Sequence, residues 1–332
     1  MRLVLISVFV TSVSACQHTA EPSPSPVTKS SDDDCPKGSK VTRFRHHNQF
    51  SHQGCEQADG TKHGPWRTWY PGGAKMDVGT YINGAKHGPW IRFSRYKHKQ
   101  HEGTYNHDKK TGPWTYWHAN AQRKASGTYV MGTKQGQWIE WYSNRKKRSE
   151  GSYQAGVKHG LWTAWHGLSG GQTQNHKRSQ GTYINGQKSG LWLTWHRNAQ
   201  KQSQGAFEAG LKNGTWTHWS STGQQLGINQ WTRGSGQITT WLKNGKIGSK
   251  GRYKDGIKDG IWMHWWYDES GEIQRLKGEY KDGKQTGEWT AWFRDGPIRY
   301  KNVQWNQGQR ISIRCLDAKG ATRTCPEEEV NE

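Results

Sequence analysis

Aliphatic residues are scarce in this chain: Leu, Ile, Val and Phe together account for only 42 of its 332 residues. Carboxylates are scarce as well, because 26 Asp and Glu stand against 48 Lys and Arg, giving a formal net charge of +22. So little apolar surface at so high a charge is typical of disordered chains, in which burial cannot offset the lost chain entropy. The composition therefore excludes an ordinary aliphatic core.

Large aromatic residues are abundant instead, with 21 Trp and 13 Tyr. Each such ring buries roughly 150–250 Å², so rings at regular positions could replace an aliphatic core. Rings at equivalent positions recur along the chain at intervals of mostly 24 residues. The sequence therefore predicts an ordered repeat fold built around aromatic rings.

The repeating unit is G-x-Y-x-x-G-x-K-x-G-x-W-x-x-W, as in the segment that begins at Gly79. Its Tyr position holds Tyr81, Tyr105, Tyr129, Tyr153, Tyr183, Phe207, Trp231, Tyr253 and Tyr280. Its first Trp position holds Trp66, Trp90, Trp114, Trp138, Trp162, Trp192, Trp216, Trp262 and Trp289. Its second Trp position holds Trp69, Trp117, Trp141, Trp165, Trp195, Trp219, Trp241, Trp265 and Trp292. The substitutions at the Tyr position show that it requires a ring rather than a hydroxyl.

Each unit is predicted to form a β-hairpin, with a strand at Thr80–Ile82, a Gly-bounded turn at Asn83–Gly88 and a second strand at Pro89–Ser94. Asn-Gly, Asp-Gly and Ala-Gly recur where a turn needs positive φ. The two Trp, three residues apart, should point to opposite faces unless a bulge intervenes. At ~4.8 Å per strand, ten stacked repeats would extend roughly 95 Å. We therefore predict an all-β fold, an elongated and twisted antiparallel ribbon of about ten tandem hairpins.

One repeat, which begins at Asn229, is two residues shorter than the others. The deletion falls in the turn Gly234-Ser235-Gly236, which leaves Ile238 at the first Trp position and Trp241 at the second. A deletion that falls in a turn and preserves the aromatic spacing supports a real structural unit.

The pattern Y-x-x-G-x-K-x-G-x-W resembles the variant MORN (membrane occupation and recognition nexus) repeat. The resemblance extends from about Cys55 to Gly308, although Gln57 stands at the first Tyr position. It implies contacts with proteins or lipid headgroups and no catalysis. Related bacterial proteins are often labelled antitoxin-like, but cytoplasmic antitoxins have no lipoprotein signal.

The N-terminus of this chain resembles such a signal. An apolar run from Leu3 to Val13 is too short for a stable membrane-spanning helix. It leads into Val13-Ser14-Ala15-Cys16, which resembles the lipobox of bacterial lipoproteins and implies cleavage before Cys16 and lipidation of Cys16. Gln17 rather than Asp follows, which implies a lipid-anchored protein of the cell envelope at the outer membrane. An ordinary secretory signal with an incidental Cys is the alternative.

Four Cys remain after Cys16, in two close pairs at the two ends of the repeats: Cys35, Cys55, Cys315 and Cys325. Four Cys allow three pairings, but an elongated body keeps its ends apart, and Cα atoms beyond about 7 Å cannot be bridged. We therefore predict disulfides Cys35–Cys55 and Cys315–Cys325. Zinc binding is the rival, although the spacings lack the close Cys pairs of structural zinc sites.

These features divide the chain into six predicted segments. They are a signal peptide at 1–15, a Pro/Ser/Asp-rich disordered tether at 16–34, an N-terminal cap at 35–54, the repeats at 55–304, a C-terminal cap hairpin at 305–326 and an acidic tail at 327–332.

Catalytic motifs are not found: there is no G-x-S-x-G, P-loop, H-E-x-x-H or C-x-x-C. We therefore expect no enzyme activity, cofactor or metal. Three His share one turn position with Thr, Gln, Ser, Asn and Asp, which predicts that it faces solvent: His63, His87 and His159. Three others follow the second Trp and are predicted as exposed strand ends: His118, His166 and His196. The one local cluster, His46-His47 with His52, is a weak metal candidate.

Positive charge is the most informative chemical feature of the repeats. Residues 36–326 carry 46 basic and 18 acidic side chains. Eight Lys share one position after the turn and form what we call the lysine row: Lys62, Lys86, Lys110, Lys134, Lys158, Lys188, Lys212 and Lys258. The row is either a set of solvated turns that keep the sheet soluble or a polyanion-binding face.

The sequence therefore favours a non-catalytic, membrane-anchored scaffold that binds an envelope protein or anionic lipid headgroups, lipopolysaccharide or other polysaccharide. Nucleic acid would bind such a charge, but export makes it an unexpected partner. The alternative is a glycan- or peptidoglycan-binding module that uses exposed Trp and Tyr rings.

Overall fold

The computed structural model describes residues 35–46, 49–168, 175–242, 244–268, 271–292 and 300–325. The predicted signal peptide, Cys16, the tether, His47 and the acidic tail lie outside these residues. The described part is all-β, as predicted, and consists of antiparallel strands. It contains no helix long and apolar enough to cross a bilayer.

The described residues form twenty-four strands. They are β1 Lys40–His46, β2 Gln49–Glu56, β3 Lys62–Trp69, β4 Lys75–Ile82, β5 Ala85–Phe93, β6 Lys99–Asn106, β7 Lys109–Trp117, β8 Arg123–Val130, β9 Thr133–Trp141, β10 Lys147–Gln154, β11 Val157–Trp165, β12 Lys177–Ile184, β13 Gln187–Trp195, β14 Lys201–Glu208, β15 Leu211–Trp219, β16 Gln225–Trp231, β17 Gly236–Trp241, β18 Ile247–Lys254, β19 Ile257–Asp268, β20 Gly271–Lys281, β21 Lys284–Trp292, β22 Tyr300–Asn306, β23 Gln309–Leu316 and β24 Thr322–Arg323.

Within each sheet, every strand pairs with the next one along the chain, without crossovers. Strands β1 to β16 form one sheet and β17 to β24 form a second. Each repeat other than the short one thus contributes one hairpin, and the hairpin prediction is confirmed.

The hairpin turns are tighter than predicted. Asn83 and Gly84, with φ of 48° and 81°, form the whole turn between β4 and β5. Positive φ at both residues defines a type I′ turn, whose twist matches that of the flanking strands. The predicted turn Asn83–Gly88 was therefore wrong, because Gly88 lies inside β5 with φ of 74°.

A Gly and a Trp on neighbouring strands form the core of each repeat. The ring of Trp138 lies across Gly127 so closely that a Cβ on Gly127 would be 2.2 Å from Trp138 Cδ2. All nine Trp of the first Trp position are buried, and each lies on a Gly of the preceding strand in the same way. The Gly of the motif is thus required by close approach of a ring.

Rings of the Tyr position separate these Trp and join the repeats. Tyr129 meets Trp138 edge to face at 5.1 Å and Trp114 at 6.0 Å. This alternation of Trp and Tyr, or Phe207, continues from Trp66 to Trp216. We call it the aromatic ladder, and it supplies the core that aliphatic residues do not.

Trp of the second position belong to a different environment. They are half-buried, and one strand back a basic side chain lies over several of the rings, as Lys147 does over Trp165 at 5.6 Å. The first set therefore forms the core, while the second keeps part of its surface in solvent.

Hydrogen bonds at both ends of the strands fix the stacking of repeats. At the turns, Gly132 N–H donates to the carbonyl of Lys110 in the preceding repeat, at 2.7 Å, and the same bond recurs along the sheet. At the opposite ends, His118 Nε2 contacts the carbonyl oxygen of Trp141 at 2.9 Å. His166 and His196 make the same contact, so the prediction of exposed strand ends was wrong for these half-buried His.

The short repeat interrupts the sheet. Between β16 and β17 only an isolated bridge, Thr232 with Ser235, remains. The side chain of Asn229 replaces the missing pairing, because its amide accepts from Thr239 N–H and donates to Thr239 C=O, both at 2.9 Å. Ile238 is buried at the first Trp position, as predicted.

Both predicted disulfides are confirmed. Cys35 bonds to Cys55 with a Cα–Cα distance of 5.6 Å, and Cys315 bonds to Cys325 with one of 5.3 Å. Each crosslink lies at one end of the described strands.

Candidate anion-binding face

The lysine row lies on the aromatic ladder rather than in solvated turns. Lys134 is the second residue of β9, and its side chain shares a face with Trp138, four residues on. Its Nζ lies 4.2 Å from the ring centroid of Trp138 and 4.8 Å from that of Tyr153 in the next repeat. The ammonium group is therefore held between two rings by cation–π attraction.

All eight members of the lysine row share this geometry. Their Nζ atoms lie 4.2–4.6 Å from the Trp of the same strand and 4.7–5.3 Å from the ring at the next Tyr position. The structure thus brings together every Lys that the sequence grouped, on one face of the strands.

Burial lowers the pKa of six of these Lys, with further lowering from like charges in the row at several of them. For Lys110, the neighbouring Lys86 and Lys134 add to the effect of burial. Glu140 opposes the shift at Lys134 and Lys158. The row is thus a line of partly desolvated charges that repel one another, and such charges favour an anion nearby.

Within the described residues, the side chains of the row form no ion pair. Lys110 Nζ donates to the hydroxyl of Tyr116 at 2.8 Å, and the other seven have no side-chain hydrogen bond there. Each ammonium carries three N–H donors and no acceptor. The row therefore offers donors that no carboxylate contacts, although Glu140 partly offsets the charge of Lys134 and Lys158.

One carboxylate is placed on the aromatic ladder near the start of the row. Asp77, which is buried, accepts from Trp90 Nε1 at 3.3 Å and forms an ion pair with Arg92 at 3.3 Å. In later repeats the indole N–H donates to a backbone carbonyl instead, as Trp114 does to Thr104 at 3.1 Å. The charge of Asp77 is thus already paired.

The histidines that share the turn position are less exposed than predicted. His63 is hydrogen-bonded to Gln57 and Asn83, and the Nδ1 atoms of His87 and His159 are buried. All three are half-buried, so the position is only partly exposed to solvent. Among the described residues, no group of three or more His, Cys, Asp or Glu could hold a metal ion. The candidate His46-His47 with His52 falls partly outside the residues described.

Histidines that the sequence did not single out lie on the ladder face, among them His101 and His218. His101 lies 5.8 Å from the ring of Trp114, and His218 lies 5.1 Å from that of Trp241. Burial lowers the pKa of each to about 4, with a further contribution from Lys110 at His101 and from Lys212 at His218. Both are therefore neutral near pH 7 and add no charge to the face.

Comparison with known proteins identifies no family. No family model matches the chain, and no curated protein matches it. A solved structure titled "Crystal Structure of TcdB2-TccC3-Cdc42" aligns with 83% of this chain at 7% identity and a TM-score of 0.12. The chain spans 22% of that chain's length, and so weak a likeness carries no argument.

Proposed function

We propose that this protein is a non-catalytic scaffold of the cell envelope that binds phosphate-bearing polyanions along the lysine row. The observation that carries the proposal is the set of eight ammonium groups on one face, each seated on two rings and without a carboxylate partner in the described residues. Lipid headgroups and lipopolysaccharide share the phosphate chemistry that such a face would recognise.

The rings make the row a better binding surface than free lysines would be. Holding Nζ over an aromatic face reduces the rotamer freedom that an exposed Lys loses on binding. A regular row also lets several phosphates of one surface bind at the same time, so that individually weak contacts give a higher overall affinity. Because the interaction is electrostatic, it should weaken steeply with salt.

The N-terminal sequence supports the cellular setting of this proposal. The lipobox-like Val13-Ser14-Ala15-Cys16 fits a lipid anchor in the outer membrane, and the following tether fits a body held near that membrane. In that setting the body would meet anionic headgroups at high local concentration.

Vesicle sedimentation tests the proposal. The full mature chain with Cys16→Ala, which cannot be acylated, is mixed with phosphatidylcholine vesicles that contain or lack phosphatidylglycerol. A Lys near an anionic membrane contributes about 1 kcal/mol, so four Lys→Gln changes in the row should weaken binding by at least about a hundredfold. The row variant carries changes at Lys110, Lys134, Lys158 and Lys188.

The matched control removes the same charge from exposed positions outside the row: Lys109, Lys124, Lys146 and Lys281. We expect this control to bind the anionic vesicles severalfold more tightly than the row variant. Equal loss in both variants would show that net charge alone drives binding. Unchanged binding by the row variant would eliminate the row as the site.

A second candidate function, glycan binding, is favoured by one observation. A cleft with aromatic and polar walls opens at the short repeat, where the lysine row is interrupted.

A further inference from the structure

Three changes coincide in the short repeat. Asn229 takes the place of the Gly that supports a ring elsewhere, and Ile238 takes the place of the Trp. The deletion removes the Lys of the row, because Ser235 is followed directly by Gly236. The ladder face therefore lacks one indole ring and one ammonium group at this point.

These losses leave a cleft of about 950 Å³. That volume is at the upper end of the range of about 300–1,000 Å³ that is typical of small-molecule sites. The cleft extends from the turns to the loops at the other ends of the strands. The aromatic and basic side chains in its wall include those of Phe207, Lys212, His218, Trp231, Trp241 and Tyr253.

Aromatic rings give the cleft its first recognition element. Trp231 and Tyr253 have ring centroids 5.4 Å apart, and the half-buried Trp219 and Trp241 also line the cleft. The negative face of an aromatic ring attracts weakly positive C–H groups. A sugar ring presents such C–H groups on one face and hydroxyls at its edges.

Polar groups give the second recognition element. Asn198, Gln202 and Ser221 line the cleft and can pair with hydroxyls. The indole N–H of Trp231 is buried and has no acceptor among the described residues. This N–H is closed to solvent, so pairing with hydroxyls rests on Asn198, Gln202 and Ser221, which are exposed.

Positive charge gives the cleft its third recognition element. Lys212 lines the cleft, with its Nζ 4.9 Å from the ring of Trp231, and no Asp or Glu is among the described residues of the wall. A ligand that carries a carboxylate or phosphate would therefore be preferred to a neutral one.

We propose that the cleft binds an anionic oligosaccharide, that is, a short glycan that carries carboxylate or phosphate groups. The proposal rests on the second candidate function, and of the lysine row it uses only Lys212, which the row variant retains. Loss of vesicle binding in the row variant would therefore leave it untouched.

Isothermal titration calorimetry of the full mature chain with tetragalacturonate tests the proposal, with neutral cellotetraose and a tetra-aspartate peptide as comparison probes. We expect binding of tetragalacturonate, at least tenfold weaker binding of cellotetraose, and no heat from the peptide. Equal binding of the neutral sugar would overturn the anionic preference, and equal binding of the peptide would overturn the glycan class.

A matched pair of variants locates the site. Ser221 is exposed at the rim, and Ser143 holds the same position in a repeat away from the cleft, since the backbone oxygen of each accepts from an Asn side chain. Ser221→Trp should weaken binding at least tenfold by obstructing the cleft, and Ser143→Trp should leave it unchanged. Equal behaviour of the two variants would place the sugar elsewhere.

A measurement on the unaltered protein gives an independent test. The indole N–H resonance of Trp231 should shift when tetragalacturonate binds, because the ring lines the cleft. A binding isotherm without any shift of that resonance would overturn the assignment to the cleft.

Discussion

The contact between Gly and Trp on neighbouring strands predicts that two harmful substitutions become tolerable together. Gly127→Asn and Trp138→Ile each disturb the core of one repeat, whereas the double variant copies the pair Asn229 and Ile238 that the chain already contains. We expect the double variant to be more stable than the sum of the single effects allows.

The size of the single effects follows from the contacts. A Cβ at position 127 would lie 2.2 Å from Trp138 Cδ2, so the ring would have to move by about 1.5 Å to reach a normal carbon contact. It has little room, because the ring of Tyr129 lies 5.1 Å away and Lys134 Nζ 4.2 Å away. Overpacking of this kind lowers the free energy of unfolding by about 3 kcal/mol.

Trp138→Ile should cost a similar amount, about 3 kcal/mol, because the ring leaves a cavity. The carbonyl of Thr128 also loses the indole N–H that donates to it at 3.2 Å. In the double variant the Asn side chain occupies space that the ring vacates. We expect a favourable coupling free energy of at least about 1.5 kcal/mol.

Backbone amide exchange in the hairpin β8–β9 is the suitable assay, because a repeat contacts only its neighbours and opens locally. A loss of about 3 kcal/mol would speed exchange by about a hundredfold. Gly167→Ala is the control, since its Cβ would meet Tyr142 Cζ at an ordinary 3.4 Å. Strictly additive effects in the double variant would refute the reasoning.

Two further predictions concern the titratable groups on the ladder face. Lys158→Met should lower the free energy of unfolding of its hairpin by about 0.5–1 kcal/mol, because it removes the cation–π contact in which Lys158 Nζ lies 4.2 Å from the ring centroid of Trp162. The expected result is faster exchange of the Trp162 indole N–H in this variant and no change in the exposed control Lys124→Met. The pKa values of His101 and His218, both about 4 in the folded chain against 6.5 for an ordinary His, predict that the unfolded chain binds protons first as the pH falls. The free energy of unfolding should therefore decrease from pH 6.5 towards pH 4, and a His101→Gln/His218→Gln variant should show a smaller decrease in urea denaturation; an unchanged pH dependence would contradict the assigned burial.

The repeat, its aromatic positions and both disulfides could be predicted from the sequence. Periodic rings identify the buried positions because only a regular array can bury them. The position of Ile238 was also predictable, since the aromatic spacing continues on both sides of the deletion. These inferences depend on chain spacing alone.

Other features depend on contacts that spacing does not encode. Gly84 and Gly88 are chemically identical, yet only Gly84 is in the turn. The half-buried Lys134, with its Nζ over two rings, contradicts the expectation that Lys is solvated. Only its place four residues before a Trp on the same face indicates this contact. The role of Asn229 depends on the contacts of its side chain with the backbone of Thr239, which the spacing of the rings does not reveal.

The two edges of the hairpins differ in their tolerance of changes in length. At the loop edge, most repeats connect their strands through five residues, such as 118–122, but residues 166–176 make this connection in one repeat. His166 of that longer connection still contacts the carbonyl oxygen of Trp195 at 2.8 Å. At the turn edge, removal of two residues splits the sheet. New peptide segments, such as labels or epitopes, could therefore be grafted into the loop edge of a repeat without loss of register.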